Sequence, residues 1–169
     1  MEVKASGCIF LSVSTGRILL QLRSRKVSHP GTWAFWGGKA HKEERPIETL
    51  YRELHEELGN IPAVIKIYPL HQYKAKNNSF FYNTFIVVTY TEFVPILNEE
   101  SSGYCWVDIG NWPKPLHNGA KGILYNKGLV KDIRATYNMA ISEKEETASW
   151  WWDLKKSLSK KIQVKSLQQ

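Results

Sequence analysis

Gly38-Lys39-Ala40-His41-Lys42-Glu43-Glu44-Arg45-Pro46-Ile47-Glu48-Thr49-Leu50-Tyr51-Arg52-Glu53-Leu54-His55-Glu56-Glu57-Leu58-Gly59 is the stretch on which the reading of this chain turns. Pro46 suits a first helical turn, where a missing N–H costs nothing. Ile47, Leu50, Tyr51, Leu54 and Leu58 then fall at i, i+3, i+4, i+7 and i+11, one apolar stripe of a helix. Gly59 is a natural stop, with Pro62 just beyond. On that helix Glu53 and Glu57 are i, i+4, and Glu53 and Glu56 are i, i+3, so three carboxylates crowd one edge, opposite the stripe. Like charges so placed repel, and a hard divalent cation removes the cost. Mg²⁺ takes oxygen ligands, keeps several waters and bridges carboxylates to phosphates. Arg52, four residues before Glu56, can pin one carboxylate. The pair Gly37-Gly38 lets the backbone turn sharply and brings a carbonyl, that of Gly38, near such a cation.

Working outward, residues 3–13 read as a strand, Ser14-Thr15-Gly16 as a turn and residues 17–23 as the returning strand, with Ile18, Leu20 and Leu22 alternating against Gln21 and Arg23. A loop with Pro30-Gly31 leads to a short aromatic strand, Trp33-Ala34-Phe35-Trp36, that ends at Gly37-Gly38. Residues 64–73 and 80–91 form a hairpin around Lys76-Asn77-Asn78-Ser79. Phe85-Ile86-Val87-Val88 reads as a buried central strand and Tyr104-Cys105-Trp106-Val107 as another. The pattern turns helical over about 118–137, and residues 143–161, with Trp150, Trp151, Trp152, Leu154 and Leu158, predict a last helix. Strands around one strong helix, closed by more helices, make a mixed α/β domain.

Composition bounds the rest. The chain has 169 residues, 43% apolar and 23% charged, which is ordinary globular usage for one domain and excludes a disordered, collagen-like or coiled-coil chain. No apolar run reaches the length of a membrane span, and Ile9-Phe10-Leu11, broken by Ser12, is too short for a signal peptide. Cys8 and Cys105 lack zinc spacing and read as reduced core thiols of a cytoplasmic protein. The net charge is +7, a balance that attracts polyanions and anionic small molecules. Lys155, Lys156, Lys160, Lys161 and Lys165 concentrate the excess near the end, where a solvated helix face is the plain alternative.

An exposed acidic helix face with Arg–Glu pairs is common, but the whole pattern is not. Gly38, Glu44, Arg52, Glu53, Glu56, Glu57 and Gly59 are seven fixed letters, and at about one residue in fifteen each the chance match is on the order of 10⁻⁸ per start. With Leu54 between them, these residues resemble the Nudix box at every fixed position. Asn60 departs from the aliphatic residue usual in the last place. Pro30-Gly31 and Trp33 before the box resemble the family's approach to it, with Trp36 where proline is frequent. Tyr104, Trp106, Val107 and Asp108, after Glu99-Glu100, resemble a strand that often supplies a further acidic ligand. The similarity covers about residues 3–126.

The resemblance implies an α/β/α sandwich around a mixed sheet, a Nudix domain over 1–140; outside the resemblance, the residue pattern adds an extra C-terminal helix in an extension over 141–169, packed on the domain or on a second copy in a homodimer. It implies hydrolysis of a nucleoside diphosphate linked to another moiety, with Mg²⁺ or Mn²⁺. Glu53, Glu56 and Glu57 would be ligands and Glu100 a further one; one carboxylate would deprotonate the water. Arg52 would orient Glu53, and Glu44 would hold the loop. Arg23, Arg25 and Lys39 could meet phosphate oxygens. Phe35 could stack on a base, with core packing as its alternative, and Asn118 sits about where MutT-like members read a purine edge. A small nucleotide is the expected partner, without a membrane. The rival readings are an RNA 5′-end pyrophosphohydrolase, which the basic balance suits, and a nucleotide-sensing regulator without turnover, which could dispense with the box glutamates this chain keeps.

Overall fold

The computed structural model describes residues 2–59 and 63–143. The expected helix over 143–161, its tryptophans and the Asn60 position fall almost wholly outside those residues. Seven strands form one mixed sheet: β1 (Val3–Ser12), β2 (Ile18–Arg23), β3 (Trp33–Ala34), β4 (Trp36–Lys39), β5 (Val64–Lys74), β6 (Phe80–Thr89) and β7 (Ser101–Val107). β1 lies parallel to β6 along its whole length. The other pairings between these strands are antiparallel, and the order β3-β2-β1-β6-β5 carries β4 on β1 and β7 on β2.

Alternation sorts the side chains to two faces. Cys8 and Phe10 of β1, Leu19 of β2 and Val87 of β6 join Trp36 under Leu50, Leu54 and Leu58 of α1 (Pro46–Leu58). Ile9, Leu11, Ile18, Leu20, Ile86 and Val88 face the other way. They pack on Ala120, Ile123 and Leu124 of α2 (Asn118–Leu124) and on Ile133 and Ala140 of a third helix, α3, over residues 127–143. The result is the expected sandwich, helix, sheet, helix. Each fully buried leucine of α1 stabilises it by about 2 kcal/mol.

Several expectations change in detail. The aromatic strand is two strands. β1 pairs β2 only at Phe10–Leu19 and Leu11–Ile18, then pairs β4 at Ala5 to Cys8, so the sheet splits, and the chain crosses from β3 on β2 to β4 on β1 at Phe35. β4 runs on through Gly37 and Gly38 instead of stopping there. The helix read over 118–137 is two helices, because Asn126 Oδ1 accepts the Gly128 and Leu129 N–H groups at 3.0 and 3.2 Å and starts a new one. Ala140 and Ile141 of that helix lie against the core, so packing continues past residue 140. Finally, Tyr51 is 47% exposed and stands off the α1 stripe.

Candidate active site

β4 and α1 meet along the loop Ala40–Arg45, and that junction is cross-linked by one guanidinium. Arg52 Nε and Nη2 donate to the two oxygens of Glu44 at 2.8 and 3.0 Å, and Nη2 also donates to the Lys39 carbonyl at 2.8 Å. Nη1 donates to Glu53 Oε1 at 2.7 Å and reaches Glu56 Oε1 at 3.5 Å. Glu44 also accepts the His41 N–H at 2.8 Å and the Thr49 hydroxyl at 3.0 Å. With Arg52 first among these partners, its carboxyl is held down to about 2. The Arg45 N–H donates to Glu48 Oε2 at 2.8 Å, which closes the first turn of α1.

The two glycines are required by what passes them. A Cβ at position 37, whose φ is +133°, would run into the Ser6 carbonyl of β1. A Cβ at position 38 would stand 2.6 Å from Glu53 Cδ and 2.7 Å from its Oε1. Glu53 therefore lies flat against the Gly38 backbone, with its side chain 14% exposed.

Glu57 is the least expected of the three carboxylates. It is 4% exposed, at the margin of the leucine stripe and not opposite it. Its Oε2 accepts the Gly37 N–H at 2.8 Å, and the Gln21 amide is near enough to favour its charged form. Burial pushes its carboxyl up to about 8; the Gly37 N–H opposes that, and the charges of Glu53 and Glu100 add to it. Glu56 turns further outward, its side chain 59% exposed.

Glu99 and Glu100 part company. The Glu99 carboxylate pairs with Lys26 on the surface, whereas the charge of Glu100 is felt at Glu57. Ser24 binds both backbone carbonyls, by its hydroxyl to Glu99 at 2.6 Å and by its N–H to Glu100 at 2.8 Å, and so ties this loop to the end of β2.

Gln21 is a residue that alternation alone assigned to the outside. It is 2% exposed. It donates to the Phe35 carbonyl at 2.8 Å, at the crossing where that carbonyl leaves both strand pairings, and accepts from the Ser101 hydroxyl. It thus spans the split in the sheet beneath Glu57. The readable signal is a polar residue between the run Ile18-Leu19-Leu20 and Leu22, in a sheet covered on both faces.

The expected substrate residues divide. Arg23 donates to the Ser28 carbonyl at 2.8 Å and to its hydroxyl at 3.2 Å. Its charge bears on both Tyr82 and His117, whose ring packs edge-on against His29 at 5.1 Å. His117 caps α2 by accepting the Gly119 N–H, and Asn118 follows it, exposed. Lys39 is exposed, and its carbonyl serves Arg52. Arg25 is exposed on the loop after β2. Phe35 is 7% exposed and belongs to the α2–α3 side of the core, so its ring packs there instead of lining a cleft.

The donor set suits a hard cation. Among the described residues no three His, Cys, Asp or Glu side chains converge into a closed cage. A soft or structural metal would need one, but Mg²⁺ is ordinarily held by one or two carboxylates and completed by waters and substrate phosphates. Glu57, buried without an ion pair among the described residues, supplies the uncompensated oxygen such a cation would meet. No described helix is long and apolar enough to cross a membrane.

Comparison with known proteins agrees with this geometry. Over 57 residues the chain is 40% identical to the CTP pyrophosphohydrolase of Escherichia coli, covering 34% of this chain and 42% of that protein. Over 43 residues it is 42% identical to the RNA pyrophosphohydrolase of Xylella fastidiosa, covering 25% and 22%. The chain thus matches less than half the length of either. Among solved structures, that of RenU, a Nudix hydrolase from M. smegmatis, superposes with a TM-score of 0.60 at 23% identity, over 80% of this chain and 86% of that one. The NUDIX domain matches residues 1–126, three quarters of the sequence and the whole of the sheet, the clamp and the carboxylate helix, and the chain belongs to that family.

Proposed function

We propose that this protein is a divalent-metal-dependent pyrophosphohydrolase that cleaves a phosphoanhydride bond in a nucleotide. The observation that carries the reading is the Arg52 clamp, which presses Glu53 against Gly38 one helical turn from the buried Glu57. Glu53, Glu56 and Glu57 of α1 would hold Mg²⁺ or Mn²⁺, with Glu100 from the loop before β7 and the Gly38 carbonyl completing the set. When bound, the metal neutralises phosphate oxygens and lowers the pKa of a water.

The chain's own residues do the positioning. Arg52 fixes one oxygen of Glu53 and leaves the other toward the loop. The Gly37 N–H orients Glu57. Gly37 and Gly38 lie where β1 exchanges β2 for β4, and Glu57 and Glu53 reach them from α1. Arg23, next to His117, supplies positive charge on the substrate side, with Lys39, Arg25 and Asn118 as further candidates. All three box glutamates are present, with Glu53 and Glu57 anchored, which favours turnover over a sensing role. The two curated relatives act, by their names, on CTP and on RNA. This supports a nucleotide or a nucleotide end as substrate.

The deciding experiment is a panel of (d)NTPs, ADP-ribose, dinucleoside polyphosphates, nucleotide sugars and 5′-triphosphorylated RNA, incubated with Mg²⁺ and resolved by chromatography. We expect metal-dependent release of a nucleoside monophosphate, inorganic phosphate or pyrophosphate. Turnover undiminished in excess EDTA would overturn the reading. Residues 141–169 we assign to an extension of the domain. Truncation after residue 141 should lower solubility or dissociate a dimer, and a soluble truncated chain of unchanged oligomeric state would argue otherwise.

A further inference from the structure

The turn from α2 into α3 forms a second concave surface, away from the carboxylates. Trp112, Tyr125, Lys127, Lys131 and Arg134 are among the residues that line an open groove of about 270 Å³. Lys127, Lys131 and Arg134 are spaced i, i+4, i+7 on α3 and so share one face. Arg134 is fixed in place: its Nη2 donates to the Ile109 carbonyl at 2.7 Å, leaving the remaining guanidinium N–H groups for another acceptor. Lys127 and Lys131 are exposed, and among the described residues neither makes an ion pair.

The surrounding sequence is one-sided. Residues 109–142 contain five Lys or Arg and a single carboxylate, Asp132. The residues that follow, 144–169, contain six lysines against three acids, so the segment next in sequence has the wrong charge to neutralise the groove. Tyr125 is 53% exposed at the rim. Trp112 packs partly against the core and offers its remaining surface to the groove. Cations spaced along a groove with aromatic faces beside them are how single strands are bound without regard to sequence, phosphates to the cations and bases to the rings.

The groove is also connected to the site. α2 has His117, beside Arg23, at one end and Tyr125 at the other. Its seven residues span about 10 Å at 1.5 Å each.

We propose that the groove between α2 and α3 binds single-stranded nucleic acid, with Lys127, Lys131 and Arg134 on successive phosphates and Tyr125 and Trp112 against a base. The proposal goes beyond the hydrolytic reading and does not depend on it. The test uses the full chain and a fluorescein-labelled 12-nucleotide RNA with a 5′-hydroxyl, which offers no anhydride to cleave, followed by fluorescence anisotropy in about 50 mM salt and above. Lys127→Glu/Lys131→Glu should weaken binding at least about tenfold, and Lys127→Ala/Lys131→Ala should flatten the log-log salt dependence by about 1.4, at about 0.7 per lost phosphate contact. Tyr125→Ala should weaken RNA binding at least about fivefold and leave binding of inorganic tripolyphosphate unchanged. Glu57→Gln should bind RNA as the wild type does, whatever the enzyme hydrolyses. Absence of RNA binding at low salt would overturn the proposal. So would equal binding by the double-lysine variants, which would place the contact elsewhere on the chain. An unaffected Tyr125→Ala would reduce the groove to a polyanion patch and overturn the nucleic-acid assignment.

Discussion

Replacing Gly38 by alanine tests the central contact of the site with one methyl group. The added Cβ would lie 2.6 Å from Glu53 Cδ, whereas non-bonded carbons rest at about 3.5–4.0 Å, so something must yield by about 1 Å. Both sides are pinned. Gly38 is paired with Ser6 of β1, and Glu53 is tied to Arg52, which is itself tied to Glu44 and the Lys39 carbonyl. Overpacking of this kind costs about 1–3 kcal/mol, or a fall in Tm of about 3–10 °C for a domain of this size. A 1 Å misplacement of a reacting group can cost about 10²-fold in rate, so kcat should fall by about that factor.

The assay is Mg²⁺-dependent product release on the nucleotide that the substrate panel identifies, alongside thermal unfolding. Gly31→Ala serves as the control: its φ is +71°, but its Cβ meets nothing within 4 Å. It should cost about 1–2 kcal/mol in backbone strain and leave kcat unchanged. Gly38→Ala/Glu53→Asp, which withdraws the carboxylate by one methylene, should recover Tm but not kcat. If Gly38→Ala keeps wild-type kcat and Tm, Glu53 does not rest on this loop and the reasoning fails.

Other outcomes follow from the same geometry. Glu53→Gln and Glu57→Gln should each lower kcat by at least about 10²-fold with circular dichroism unchanged, as loss of a positioned charge does; near-normal rates in both would remove them from the site. Glu44 is held at about 2, below its ordinary 4.5, so it stabilises the fold above pH 4.5 and that contribution is lost as the pH falls toward 2. The Tm gap between wild type and Glu44→Gln should accordingly be full at pH 6 and close between about pH 4.5 and 2; a gap that does not change with pH would refute the clamp. Glu100→Gln should raise the Mg²⁺ concentration needed for half-maximal rate, while Glu99→Gln, whose carboxylate faces Lys26, should do little. A Mn²⁺ soak with nucleotide that places both far from every metal would reject the assignment of Glu100.

What could be read from the sequence was whatever depends on neighbours in the chain. The period of Leu50, Leu54 and Leu58 fixes α1, the alternation of β1 and β2 fixes their hairpin, and Asn77-Asn78 marks the turn between β5 and β6. What could not be read depends on partners distant in sequence. Trp33-Ala34-Phe35-Trp36 gives no sign of crossing a seam, because the seam exists only where β1 exchanges β2 for β4. Gln21 alternates correctly, but alternation names a face and not its exposure. With α1 on that face, the glutamine is interior. The break between α2 and α3 did have a local signal, Asn126 followed by Gly128, masked by apolar periodicity on either side.

The seam also accounts for the charge of the site. Three carboxylates, Glu44, Glu53 and Glu56, gather around Arg52, and that guanidinium is committed to Glu44, to the Lys39 carbonyl and to one oxygen of Glu53. Among the described residues the Glu57 carboxylate receives the Gly37 N–H, with the Gln21 amide nearby, both neutral. Neutral donors can orient a buried carboxylate but do not cancel its charge, which is why burial raises the proton affinity of Glu57 instead of lowering it. Gln21, given over to the Phe35 carbonyl at the split in the sheet, brings no positive charge to Glu57, so a divalent cation binding there would displace a proton and supply the charge that the protein itself withholds.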